Sequence, residues 1–298
     1  MAALKTAGKF SWLDVKGIRE KPNHVLHYAR LESPKQAQIN VLYFPGDVQE
    51  REDVMATGPN KEWTSFSYES TAARLAERFS DSNPNVFVVR PTRIVKETFS
   101  CFDNFVSSGI VGAPRHETSF GAWSHAIALI GQLERQSQID DELPWTLIGF
   151  SKGCVVLNQL CFEMAAMETL DAHGDDSSLL GAIRAEAKKR AKDFEMENVR
   201  RFYSRIREFY WLDGGHSGEE NTWVTDETTL QVVARLVPRV RVHVTPYQMK
   251  DKSRPWLGKE EGVFVSTLKR FGADVIETVH FENRKRSLGI HFELLDSF

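Results

Sequence analysis

Short apolar runs alternate with longer amphipathic stretches along most of this chain. Residues 39–44, 85–90, 145–150, 209–213, 240–245 and 274–281 are rich in aliphatic and aromatic side chains and bounded by turn-forming residues, which predicts buried strands. Between them, apolar positions recur at three- and four-residue spacing. That period predicts helices over 67–79, 119–136, 228–236 and about 259–271, with a last helical turn over 292–298. The alternation of strand and helix predicts an α/β fold, with right-handed crossovers and a mostly parallel central sheet flanked by helices. Residues from about 10 to 31 predict a leading hairpin, with turn signals at Asp14-Val15-Lys16-Gly17 and Lys21-Pro22-Asn23. Residues 92–118 read as a long polar loop whose Phe99, Phe102 and Phe105 pack against the body or wall a pocket. Residues 163–207 hold more chain than one crossover needs, with an extended charged helix expected over 178–206. This helical insertion would be a cap over a site or a surface helix pair. No repeat or linker interrupts the pattern, so a single domain is expected over 1–298, with 1–38 as an N-terminal extension or hairpin.

The run at 145–150 ends in Gly149-Phe150-Ser151-Lys152-Gly153, and an apolar helical stretch starts at Cys154. Strand, Gly-x-Ser-x-Gly and helix in that order describe a nucleophile elbow, in which a serine on a strained turn stands clear of the sheet edge. The bare pattern is weak, since chance supplies it in roughly one chain in ten of this length. Ser151 as an ordinary helix N-cap is the competing reading, and the flanking strand and helix favour the elbow. In an elbow the Lys152 N–H, at the positive end of the new helix, faces any oxyanion formed on an attacked carbonyl. The loop Pro45-Gly46-Asp47-Val48-Gln49 follows the 39–44 strand, where an open α/β sheet builds its site. Pro45 has no N–H, so a second oxyanion donor would come from Gly46, Asp47 or Val48. A simple Pro-Gly turn with Asp47 accepting from nearby amides is the alternative.

Composition narrows the chemistry. In 298 residues, 41% are hydrophobic and 27% charged, with a net charge of −3, so there is no basic field for nucleic acid. Cys101, Cys154 and Cys161 form no Cys-x-x-Cys and read as small buried hydrophobes of a reducing compartment. His24 and His27 lack a carboxylate or cysteine at ligand spacing, so neither a metal nor a cofactor is expected. No run approaches the ~20 apolar residues of a transmembrane span, and the N-terminal stretch lacks the apolar core of a secretory signal.

An elbow serine becomes a nucleophile when a histidine takes its proton and a carboxylate fixes that histidine's tautomer. With chain order serine, acid, histidine, His291 lies where the base belongs, after the final strand; His216 and His243 precede that strand and His280 sits within it. Two residues compete for the acid. Asp251, after the 240–245 strand, is preferred; Asp213, ending the 209–213 strand before Gly214-Gly215, is the alternative. Asp213 also reads as a turn-former, and Asp251 as a helix cap or solvated charge.

The order Ser151, Asp251, His291 within this alternation resembles the α/β-hydrolase superfamily from about Ile39 to the end. More specifically, Leu42-Tyr43-Phe44-Pro45-Gly46-Asp47-Val48-Gln49, Gly149-Phe150-Ser151-Lys152-Gly153, Trp211-Leu212-Asp213-Gly214-Gly215-His216 and Thr245-Pro246-Tyr247-Gln248 are similar to one mitochondria-associated family. Its vertebrate member is named for open reading frame sixty-nine on chromosome two. The resemblance implies an α/β-hydrolase-like fold, a mitochondrial location and a serine hydrolase without a settled substrate. The triad reading itself predicts cleavage of an ester or thioester of a small or lipid-like acyl substrate, and a cytoplasmic location is the alternative. A catalytically inactive binding or scaffold protein on the same fold is the other reading.

Overall fold

The computed structural model describes residues 8–30, 36–119, 121–170, 197–216 and 218–298. One sheet of eight strands organises them: β1 (Gly8–Lys16), β2 (Pro22–Arg30), β3 (Asn40–Phe44), β4 (Asn85–Val89), β5 (Trp145–Phe150), β6 (Ile206–Leu212), β7 (Val240–Val244) and β8 (Val275–Val279). Their spatial order is β1-β2-β4-β3-β5-β6-β7-β8. β1 and β2 make an antiparallel hairpin, β2 meets β4 antiparallel, and every later neighbouring pair is parallel.

Both faces of the inner strands are buried, which is why they read as continuous apolar runs. Leu42, Phe44, Leu147, Phe209 and Trp211 point to one core. It is completed by helices α2 (Ala122–Ser137), α3 (Cys154–Leu170), α4 (Glu227–Leu236) and α5 (Trp256–Arg270). Val41, Tyr43, Ile148, Phe150 and Leu212 point to the other, covered by α1 (Tyr68–Arg78) and the C-terminal α6 (Leu288–Glu293) with Phe292, Leu295 and Phe298. α3 is buried on every side near its start, from Cys154 through Leu160.

The segment 92–118 is more ordered than a loop. It carries two small antiparallel pairs, Arg93–Val95 with Phe99–Cys101 and Ser107–Ser108 with Pro114–Arg115. The helix expected from 119 starts at Ala122, where Glu163 of α3 accepts from the Gly121, Ala122 and Trp123 amides and caps its first turn. Most of the helix expected over 178–206 lies outside the described residues; 197–205 are helical. Among the described residues no helix is long and apolar enough to cross a membrane.

Glu261 of α5 is buried, its Oε1 has no partner, and its carboxyl is pushed up to about 7 by burial first and the Glu277 charge second. The unfolded chain loses this proton first, so the group removes stability as pH rises from the ordinary 4.5 through about 7. Glu261→Gln should therefore raise stability in denaturant titrations at pH 8 by on the order of 2 kcal/mol, and by little at pH 4.5. Equal gains at both pH values would refute the assignment.

Candidate active site

β3 and β5 lie side by side, with Phe44 opposite Gly149. The crossover after β3 leads to β4 on one side, and the crossover after β4 returns to β5 on the other. Strand order reverses there, and the crevice at the carboxyl ends is where such a sheet receives a ligand. Ser151 sits at that point with φ +50°, a strained conformation for a non-glycine residue. The two glycines are needed for packing. A Cβ on Gly153 would lie 1.9 Å from the Phe44 carbonyl oxygen, and one on Gly149 would lie 2.8 Å from Cys154 Cα. Only bare backbone lets β3 pass the first turn of the elbow helix.

Ser151 and His291 line one cavity of about 490 Å³ together with Asp47, Val48, Thr98, Phe99 and other residues. The Ser151 hydroxyl makes no hydrogen bond with the described residues; His291, on α6, is buried. The imidazole lies between Phe150 and Tyr247, with ring centroids 4.5 and 4.4 Å away. Its Nδ1 is 2.8 Å from Asp213 Oδ2. A carboxylate there accepts, so Nδ1 carries the proton and Nε2 keeps its lone pair.

Asp213 is fully buried at the end of β6. Thr245, just after β7, donates its backbone N–H to Oδ1 and its hydroxyl to Oδ2, both at 2.6 Å. Asp213 has φ +45°, which turns its carboxylate out of the strand line. The carboxylate on His291 is therefore that of Asp213, and the preferred candidate, Asp251, does not touch the imidazole. Asp251 Oδ2 instead accepts from Arg254 Nε and Nη2 at 2.9 and 2.8 Å and from Arg286 Nη2 at 2.9 Å, while Oδ1 accepts from the Ser253 N–H. Burial would raise this carboxyl, but the Arg254 hydrogen bonds, the Ser253 amide and the Arg286 charge hold it below its ordinary range. Two guanidinium groups have claimed it.

The three loop amides are not equivalent. Gly46 N–H donates to Gln49 Oε1 at 2.9 Å, and Val48 N–H donates to the Thr98 carbonyl at 2.7 Å. The Asp47 N–H has no partner among the described residues. Gln49 also accepts from Tyr43 Oη and donates to the Phe66 carbonyl and Thr71 Oγ1, so one buried amide sets the loop's shape. The small strand at Phe99–Cys101 braces it further: Ser100 N–H donates to Asp47 Oδ1 and Ser100 Oγ to the Gly46 carbonyl, both at 2.8 Å. Val48 at φ +75° is the strain this bracing holds.

Lys152 contributes more than its amide. Its buried ammonium donates to the Val111 and Gly112 carbonyls and stands 4.0 Å from Asp47 Oδ2. Burial lowers its pKa against the pull of Asp47, and burial raises that of Asp47 against the pull of Lys152. Sequence reasoning missed this pair, Gln49 behind the loop, and Tyr247 and Arg254 on the cavity wall; His216, weighed only as a base, lines the cavity too. Gly214-Gly215 beside His216 was the one local signal.

A model of the C2orf69 family matches residues 11–143 and 138–274. The chain is 35% identical over 276 residues to the mitochondrial protein C2orf69 homolog of Danio rerio, covering 87% of this chain and 73% of that one. It is likewise 35% identical over 323 residues to the mitochondrial protein C2orf69 of Homo sapiens, covering 91% and 77%. Among solved structures, a variant of the esterase rPPE superposes with a TM-score of 0.51 at 8% identity, over 100% of this chain and 80% of that one. That likeness is one of fold, the α/β-hydrolase fold.

Proposed function

The chain belongs to the C2orf69 family, and we propose that on its α/β-hydrolase fold it acts as a serine hydrolase cleaving an ester or thioester. The observation that carries this reading is the 2.8 Å contact of His291 Nδ1 with Asp213 Oδ2, formed in the same cavity as a strained elbow serine. In this reading His291 Nε2 takes the Ser151 proton as Oγ attacks the carbonyl. The Lys152 and Asp47 amides stabilise the oxyanion, and His291 returns the proton to the departing alcohol or thiol. Water activated by the same imidazole then hydrolyses the acyl-serine, releasing a carboxylic acid. Asp213 holds the tautomer and steadies the imidazolium.

A fluorophosphonate probe should label the wild-type chain and not Ser151→Ala. Folded wild-type protein that stays unlabelled across a broad pH range would overturn the proposal. One observation favours a silent binding protein on the same fold: Ser151 Oγ has no hydrogen bond to His291. Unbound hydrolases often tighten that contact only with substrate present, so labelling decides between the two. The names of the relatives support a mitochondrial location, which cell fractionation placing the full chain in the cytosol would refute.

A further inference from the structure

One end of the cavity is not used by the triad. Arg254 lines it, with its guanidinium fixed by Asp251 on Nε and Nη2 and by the His216 carbonyl, which accepts from Nη1 at 2.9 Å. A guanidinium has five N–H groups, and these bonds use three, leaving two for a ligand. Asp251 is also shared with Arg286, so the two arginines carry more positive charge than the one carboxylate neutralises. His216 lines the same cavity and is 4% exposed. Its Nδ1 accepts from the Gly218 N–H at 3.0 Å, which places the ring proton on Nε2, and Nε2 has no hydrogen-bond partner. An orphaned buried donor beside a braced guanidinium is a site in want of an acceptor. The acidic side chain on the cavity wall, Asp47, is offset by Lys152.

We propose that Arg254 and His216 bind an anionic group, a carboxylate or a phosphate, carried by the substrate close to its scissile ester or thioester. The inference rests on the serine-hydrolase reading and narrows it: the substrate is an acidic ester rather than a neutral lipid. Asp251 is then a positioning residue, orienting Arg254 where it was expected to orient His291. Burial, with Lys152, His116 and Arg254 nearby, lowers His216 to about 3, so its ring stays neutral and keeps the donating tautomer at physiological pH.

Two measurements on the full chain test this. In Ser151→Ala protein, titration calorimetry with glutarate, glycerol phosphate and neutral glutaramide should show saturable binding of an anion and none of the amide. Whichever anion binds identifies the source. Arg254→Met should weaken that binding at least tenfold, with Arg254→Lys restoring part of it. In the wild type, kcat/KM for the p-nitrophenyl ester of glutaric acid should exceed that of p-nitrophenyl butyrate at least tenfold, and Arg254→Met should cut this ratio at least tenfold. Should Arg254→Met fail to fold, the comparison of anion with amide on the unaltered pocket decides. Equal hydrolysis of both esters with no anion binding would overturn the anion site and leave the hydrolase standing. Anion binding without fluorophosphonate labelling would do the reverse.

Discussion

Asp213→Asn should leave a folded protein whose turnover is lower by about 10⁴-fold, the scale seen when a triad carboxylate becomes an amide. The reason lies in the proton inventory. The carboxylate accepts from Thr245 N–H, Thr245 Oγ1 and His291 Nδ1. An asparagine that keeps its oxygen on the Thr245 amide turns an NH₂ toward His291, forcing Nδ1 to accept and moving the ring proton to Nε2. The imidazole then faces Ser151 with a donor and cannot take its proton. Some stability is lost as well, roughly 1–3 kcal/mol from the mismatched Thr245 hydroxyl, so rates must be compared at equal folded fraction. Asp251→Asn should fall far short of that loss, since its effect reaches the cavity only through Arg254. Measured kcat for the two variants on one activated ester separates them, and a larger loss at Asp251 would show that the acid is not Asp213.

Gly153→Ala should be strongly destabilising, the tightest of the described glycines to bear a methyl. The added carbon would sit 1.9 Å from the Phe44 carbonyl oxygen and 2.9 Å from that of Pro45, and both obstacles are backbone. Relief requires β3 to separate from the elbow, breaking the parallel pairing that aligns Phe44 with Gly149. Overpacking of this kind costs about 3 kcal/mol or more, a large share of a domain's stability. Gly262→Ala supplies the contrast: in the middle of α5, a Cβ there meets nothing within 4 Å, and alanine should stabilise by about 0.5–1 kcal/mol. Urea denaturation of the two variants tests the pair. A folded Gly153→Ala protein of wild-type stability would mean that the elbow does not pack as described.

The strand, strained turn and helix around Ser151 were legible because their requirements are local. A strand must end, a serine must take a strained turn, and glycines must flank it, all within Trp145 to Cys154. His291 was legible for a different reason: a position after the last strand leaves few ways back to the sheet's carboxyl edge. The choice between Asp213 and Asp251 depended on residues far along the chain. Thr245 holds the first, and Arg254 with Arg286 takes the second, and the contacts from Thr245 and Arg286 span more than thirty positions. Neither acid differs from the other in local pattern enough to reveal this. The 92–118 segment was misjudged for a related reason, because its strands are only two or three residues long and are held by pairing, not by an apolar run.

What the sequence determined by itself is what local sterics and burial dictate: which segments are strands and helices, that the sheet is mostly parallel, and where the Gly-x-Ser-x-Gly turn stands. Backbone conformational preference and hydrophobic period act over a few residues, so they are written in consecutive letters. Only the tertiary structure decided which carboxylate meets His291, which loop amides pair with Gln49 and Thr98, and that Arg254 and His216 share one cavity. Those outcomes are settled by competition for hydrogen bonds among groups distant in the chain. A buried donor or acceptor pairs with whatever the fold brings within about 3 Å, whatever its place in sequence.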